Sequence, residues 1–195
     1  MTGRPLRPKD YQVMPWKNGG GVTTEIWKAV SPAGEMLWRL SIADVGRDSP
    51  FSPFPGIDRT IMVIEGNGME LTVEGFGTRQ LDRPFEPFAF SGDAKTTCRL
   101  IDGPIRDFNL MVMRGFGEGT LRVLQLAPKV IAPLAEDTVA VHMLHGAIEL
   151  ETGAIHELSA GDSWIAGDPE RATVRAAEPA IMAVIAMDAN PQAGP

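Results

Sequence analysis

The chain has 195 residues, 44% hydrophobic and 22% charged, with a formal net charge of −7. That length carries one large domain or two small ones with a useful core. The acidic balance disfavours nucleic acid or an anionic membrane as the main partner, because both reward clustered Lys and Arg. One cysteine, Cys98, excludes an internal disulfide, and no apolar run has the length of a membrane span or a signal-peptide core. The expected setting is cytoplasmic.

The 21 glycines and 16 prolines break most windows long enough for a helix. Between them, in chain order, run TTEIWKAV, MLWRLSIADV, RTIMVIEG, MELTVEG, TTCRLIDG, FNLMVM, TLRVLQLA, TVAVHMLHG, AIELETG, ATVRAA and AIMAVIAM. Several alternate apolar with polar residues, as half-buried strands do. In MLWRLSIADV, Trp38, Leu40 and Ile42 alternate better than they wind. The chain is expected to be all-β, a sandwich or barrel of short strands.

The pattern occurs twice. RTIMVIEGNGMELTVEG resembles TVAVHMLHGAIELETG, with Gly66 facing Gly146. Further on, FEPFAFSGDAKTTCRLIDGP resembles DSWIAGDPERATVRAAEP, with Gly92-Asp93 facing Gly167-Asp168 and Pro104 facing Pro179. Each copy ends in an apolar strand. The reading is two copies of one β unit, residues 1–115 and 116–190, with a disordered tail at 191–195. The unusual polar residues fall in the first copy. The second has Ala and Val where the first has Asp, Phe and Asn, so the ligand site is expected in the first.

PWKNGGGVTTEI, from Pro15 to Ile26, is the densest of these polar stretches. It is no phosphate loop, because Lys17 precedes the glycines and a strand follows. A wide turn using positive φ is one reading. A bare backbone approaching a ligand beside Lys17 and Asn18 is the other. From this stretch the expected ligand-binding residues are Lys17, Asn18, Gly20, Thr24 and Glu25. Arg39 and Ser41 share a strand face in MLWRLSIADV. Arg59 follows the proline- and phenylalanine-rich segment SPFSPFPGIDRT, read as a stiff loop or a lid over a cavity. Asp107 and Asn109 share a face of IRDFNLMVM, where Asn is unusual for a strand.

His142 and His145 point to opposite faces of a strand, and a metal needs three or four convergent ligands, so no metal and no cofactor are expected. Nucleophile motifs are absent and no catalytic residue is assigned.

Together PWKNGGGVTTEIW, WRLSIADV, FSPFPGIDRTIMVIEG, FAFSGD and DFNLMVM resemble the HutD/Ves family, in order from Pro15 to about Met113. That resemblance implies a bicupin, two packed cupin-like jelly-roll barrels, which agrees with the repeat. Cupins often hold a metal through H-x-H, a glutamate and a later histidine. Neither half has that set, which implies a metal-free barrel. The family resemblance further implies an accessory or regulatory protein of histidine utilisation that binds a small carboxylate such as urocanate, formylglutamate or formiminoglutamate. Successive glycine N–H groups would form an anion nest beside the basic residues. The expected partner is thus a small anionic metabolite, with no nucleic acid, no membrane, and a homodimer left open. The alternative is a metal-independent isomerase or hydrolase acting on a small organic acid, with Glu25 and Asp107 as acid and base. A purely partner-binding module is the third reading.

Overall fold

A computed structural model describes residues 3–167 and 171–189. Asp168 and the tail at 191–195 lie outside the described residues. The strands in chain order are β1 (Arg4–Leu6), β2 (Gln12–Pro15), β3 (Gly21–Val30), β4 (Met36–Val45), β5 (Ser49–Pro50), β6 (Ile57–Glu65), β7 (Met69–Val73), β8 (Gly77–Leu81), β9 (Phe88–Ser91) and β10 (Thr96–Leu100). They continue as β11 (Ile105–Met113), β12 (Gly117–Leu126), β13 (Ile131–Pro133), β14 (Thr138–His145), β15 (Ala147–Glu151), β16 (Ile155–Ser159), β17 (Ser163–Ile165), β18 (Thr173–Arg175) and β19 (Ala180–Ala189). One short 3-10 turn at Pro8–Asp10 is the only helical element among the described residues. Among the described residues no helix is long and apolar enough to cross a membrane.

The chain divides into two compact units, one of residues Tyr11–Glu118 and one joining the segment up to Asp10 with Gly119–Asp188. In the first, a six-stranded sheet ordered β2-β3-β4-β11-β6-β9 accompanies a four-stranded sheet ordered β5-β10-β7-β8. In the second, β1-β17-β14-β19-β12 accompanies β13-β18-β15-β16. The order β4-β11-β6-β9 recurs as β12-β19-β14-β17, and the four-stranded sheets correspond strand for strand. The repeat read from the sequence is therefore a repeat of topology.

One pair of turns carries that repeat down to single atoms. Gly66 and Gly146 have φ of 93° and 74°. A Cβ on Gly66 would sit 2.6 Å from the Pro104 carbonyl oxygen, and one on Gly146 would sit 2.6 Å from that of Pro179. Glycine is required twice for the same two reasons, the left-handed φ and the close backbone approach.

The expected boundary needs one correction. Residues 3–10 do not belong with the first unit, because β1 pairs antiparallel with β17 of the second, Leu6 opposite Ser163 and Arg4 opposite Ile165. The unit's sheet would otherwise end at the short strand β17, whose free ladder β1 completes. Arg7 adds an ion pair to Asp162 and a hydrogen bond to the Glu157 carbonyl at 2.9 Å.

Each unit has a core shared by its two sheets. In the first, Val45, Ile61 and Val63 of the large sheet meet Met69, Leu71, Val73, Leu81 and Cys98 of the small one. In the second, Met182 and Val184 join Val141, Met143, Leu150 and Leu158. Met182 and Val184 occupy the repeat positions of Asp107 and Asn109. The second unit fills with hydrocarbon the region where the first places a carboxyl and an amide.

Candidate functional site

Strand alternation and register assemble the polar residues on one face of the six-stranded sheet. On β11, Asp107 lies opposite Ala43, Asn109 opposite Ser41 and Met111 opposite Arg39 of β4. Met111 is also opposite Arg59 of β6, and Arg59 is opposite Phe90 of β9. Thr23 of β3 faces Ala43. Odd-numbered residues of four strands thus converge because side chains repeat every second residue. This face turns into a cavity of about 370 Å³ lined by Trp16, Lys17, Asn18, Thr23, Arg39, Ser41, Ala43, Phe51, Phe54, Arg59, Asp107, Asn109 and Met111, among others. The size suits a small metabolite.

Arg59 is the centre of the site. It is only 6% exposed. Its guanidinium carbon lies 5.0 Å from the centroid of the Phe51 ring, 5.4 Å from that of Phe54 and 5.0 Å from that of Phe90. Cation–π attraction offsets part of the lost hydration. One amino group, Nη2, donates to Asn109 Oδ1 at 3.1 Å. Nε is buried with no hydrogen-bond partner among the described residues. Burial pulls the guanidinium down to about 10, against the Asp107 carboxyl, which raises it. Arg59 stays charged at neutral pH and retains an unused donor.

Asp107 is its counterpart, 1% exposed. Asn109 Nδ2 donates to Asp107 Oδ1, so the Asn109 amide bridges arginine and carboxyl. Oδ2 is buried without a partner. Burial pushes the Asp107 acid up to about 7, outweighing the Asn109 hydrogen bond and the Arg59 charge, both of which lower it. Arg39 is occupied, its Nε donating to Glu25 Oε2 at 2.6 Å, with both side chains about nine-tenths buried. Arg39 is thus held by an acid of the protein, Glu25, whereas Arg59 is linked by hydrogen bonds to Asp107 only by way of Asn109.

The wall beside Arg59 is a stiff loop, as its prolines suggest. Phe51 N–H donates to the Thr96 carbonyl at 2.9 Å, Phe54 N–H to that of Gly92 at 2.8 Å, and Gly56 N–H to Asp93 Oδ1 at 2.9 Å. A Cβ on Gly92 would lie 2.6 Å from the Phe54 carbonyl oxygen, so this glycine lets the loop seat against the Gly-Asp turn. Arg114 clamps Asp93, whose carboxyl its hydrogen bond holds down at about 2.

The triple glycine does something other than bind an anion. Gly19 N–H donates to the Trp16 carbonyl at 2.9 Å, and Gly20 N–H to Asn18 Oδ1 at 2.9 Å. Those donors close the β2–β3 turn, so the expected nest is corrected. Gly20 lies outside the Arg59 cavity and borders a separate groove with Gly46 and Arg106. Glu25 does not line the cavity and acts through Arg39. Thr24 is replaced by Thr23, which also accepts from Trp16 Nε1 at 2.8 Å. Thr24 pairs with Ile42, one residue out of phase with the Thr23–Ala43 pair that faces the cavity. At Gly21 there is no room for a side chain, since a Cβ would lie 2.3 Å from the Asp44 carbonyl oxygen. At Gly20 the neighbours at 3.2 Å are the side chains of Arg47 and Asn18. Gly21→Val is therefore expected to lower stability by about 1–3 kcal/mol, and Gly20→Ala by less. Thermal melts of the two variants check this.

The chain matches the HutD family model over residues 8–184. It belongs to the HutD family. It is 44% identical over 150 residues, 71% of this chain and 76% of the relative, to an uncharacterized 21.2 kDa protein in the hutC 3′ region of Pseudomonas putida. A solved structure of HutD from Pseudomonas fluorescens is similar with a TM-score of 0.77 and 35% identity, covering 96% of this chain and 100% of that one. Oxalate decarboxylase of Bacillus subtilis is similar with a TM-score of 0.73 over 97% of this chain and 78% of that one. At 8% identity that likeness concerns fold alone, and the fold is cupin-like. The HutD family is linked to the histidine utilisation locus, and the Pseudomonas putida relative is described by its place in the hutC 3′ region.

Cupin-like folds raise the matter of a metal, and the donors among the described residues do not fit one. Among the described residues no group of three or more His, Cys, Asp and Glu is placed to hold a metal ion. His142 is buried with Nδ1 2.8 Å from Ser163 Oγ, whereas His145 is exposed. The purified protein is expected to carry no stoichiometric metal. Elemental analysis near one metal per chain, lost in His142→Ala, would contradict this. Cys98 is buried, and burial pushes its thiol up to about 12, which makes it a poor nucleophile.

Sequence reasoning missed Thr23 and the ring cage of Arg59. Phe51 and Phe54 were visible as loop aromatics and Phe90 as a strand aromatic. Their convergence on one guanidinium depends on the register of β6 with β9 and on the loop anchors.

Proposed function

We propose that this HutD-family protein is a cytoplasmic, metal-independent accessory or regulatory protein of histidine utilisation that binds a small carboxylate intermediate in its first unit, each unit being one barrel of a bicupin. Urocanate, formylglutamate and formiminoglutamate are the candidates. The observation that carries the reading is the buried Nε donor without a partner on Arg59, a residue that lines the cavity together with Arg39 and Lys17. A buried donor without a partner costs stability, and arginine donors suit carboxylates. The second unit, with Met182 and Val184 at the matching positions, has no such site there. Calorimetric titration with the three acids tests the reading, which requires one of them to bind with a 1:1 stoichiometry.

The Asp107 carboxyl, raised to about 7, supports a second reading, that of an isomerase or hydrolase of such an acid, because a group near working pH suits proton transfer. Glu25 is tied to Arg39, so Asp107 would serve as both acid and base. Turnover of a bound acid, followed by chromatography, separates catalysis from binding.

A further inference from the structure

We infer that Asp107 is a specificity-determining residue that selects ligands carrying an N–H donor as well as a carboxylate, so that the pocket rejects acids whose other end only accepts hydrogen bonds. This rests on the carboxylate reading above and adds the chemistry of the ligand's second end.

Two residues that line the cavity each hold a buried, orphaned polar atom, and the two atoms are of opposite kind. Arg59 Nε is a donor without an acceptor, and Asp107 Oδ2 is an acceptor without a donor. Both belong to side chains more than nine-tenths buried, and both residues line the same cavity. Asn109 lies between them and has one hydrogen bond to each, through Oδ1 to Arg59 and through Nδ2 to Asp107. That bridge fixes which Asp107 oxygen is used, leaving Oδ2 for the ligand. A ligand satisfying both orphans places an acceptor at Arg59 and a donor at Asp107. An imidazole or amidine joined to a carboxylate has this arrangement, whereas a dicarboxylate or furan acid without any N–H brings oxygen to oxygen. A site built to hydrogen-bond a ligand N–H rejects the analogue that lacks it, since its own buried group is then left unpaired.

The charged and titratable groups around Asp107 leave that orphan in place. Arg59 on β6 and Asp44 on β4 act on Asp107 through charge only, and Cys98 on β10 feels its charge in turn. Arg39 on β4 is held by Glu25 on β3. Among the described residues no ion pair includes Asp107, and Lys17 lines the cavity without pairing to it. Burial pushes the acid up to about 7, so at pH 8 it is mainly ionised and accepts only.

The test is calorimetry at pH 8 with a matched pair of probes, urocanate and 3-(2-furyl)acrylate. They share the acrylate and a five-membered ring, but the furan has no N–H. Urocanate is expected to bind at least about tenfold more tightly than the furan in the wild-type protein, the worth of one hydrogen bond to a charged group. In Asp107→Asn, Asn109 continues to donate to the remaining oxygen and an NH₂ donor faces the cavity. The preference is then expected to vanish or reverse. Equal affinities in the wild-type protein overturn the inference while leaving the carboxylate reading intact. No binding of either probe overturns the inference, and the carboxylate reading then stands or falls with formylglutamate and formiminoglutamate. Should Asp107→Asn prove unstable, the wild-type comparison decides alone.

Discussion

Arg59→Ala is expected to abolish binding of a small carboxylate, and Arg59→Lys to fail to restore it. The guanidinium supplies the unused Nε donor, and a charge-assisted hydrogen bond is worth about 1.5–3 kcal/mol, or roughly 10- to 150-fold in Kd. Lysine keeps a charge but not the fork, and its compact, strongly hydrated ammonium is poorly matched to a position among three rings. The structure also changes what Arg59→Ala should do to the fold. The side chain is 6% exposed and fills the space between Phe51, Phe54 and Phe90, so alanine leaves a hole and lowers the melting temperature. Arg59→Met separates the two effects, because it refills the cage without charge or donor. The expected results are weaker binding in all three variants and near-normal melting in Arg59→Met. If urocanate, formylglutamate and formiminoglutamate bind Arg59→Met as tightly as the wild-type protein, the anion site lies elsewhere.

The second large effect concerns stability and pH. Asp107 titrates near 7 in the folded protein against 3.8 as its ordinary value, because burial penalises the charged form. Below about pH 4 it is protonated in both folded and unfolded chains and contributes nothing. As pH rises from there to about 7, the unfolded chain loses the proton and gains hydration while the folded chain keeps it. Stability is therefore lost across that window and stays lost above it. A rise from 3.8 to about 7 corresponds to about 4 kcal/mol. Asp107→Asn removes the titration. It is expected to be more stable than the wild-type protein at pH 8 by up to that amount, less the cost of a neutral buried amide, and to match it near pH 4. Urea unfolding at pH 4, 6 and 8 checks this. A wild-type profile parallel to that of Asp107→Asn would mean that Asp107 does not titrate in this range. Such a gain would also indicate that the buried carboxyl is retained for function at the expense of stability.

Much of the architecture is legible along the chain because it depends on local periodicity. Alternation identified the strands, and the paired Gly66/Pro104 and Gly146/Pro179 signals identified the duplicated turn, where backbone approach and positive φ exclude any side chain. Alternation also placed Arg39 with Ser41, and Asp107 with Asn109, on common strand faces. Only the tertiary structure decided how these faces combine. The β3–β4 register made Thr23, and not Thr24, the cavity threonine, since a shift of one residue moves every side chain to the other face. Glu25 found Arg39 across two strands, and Asp107 was left to reach Arg59 through Asn109. The glycine N–H groups went to the turn because Trp16 and Asn18 supplied acceptors within a few residues. Residues 3–10 joined the second unit by completing a strand edge that lies more than 150 positions along the chain. Pairings of that range depend on backbone ladders and loop anchors that no local pattern encodes, and they created the caged arginine and its two unsatisfied atoms.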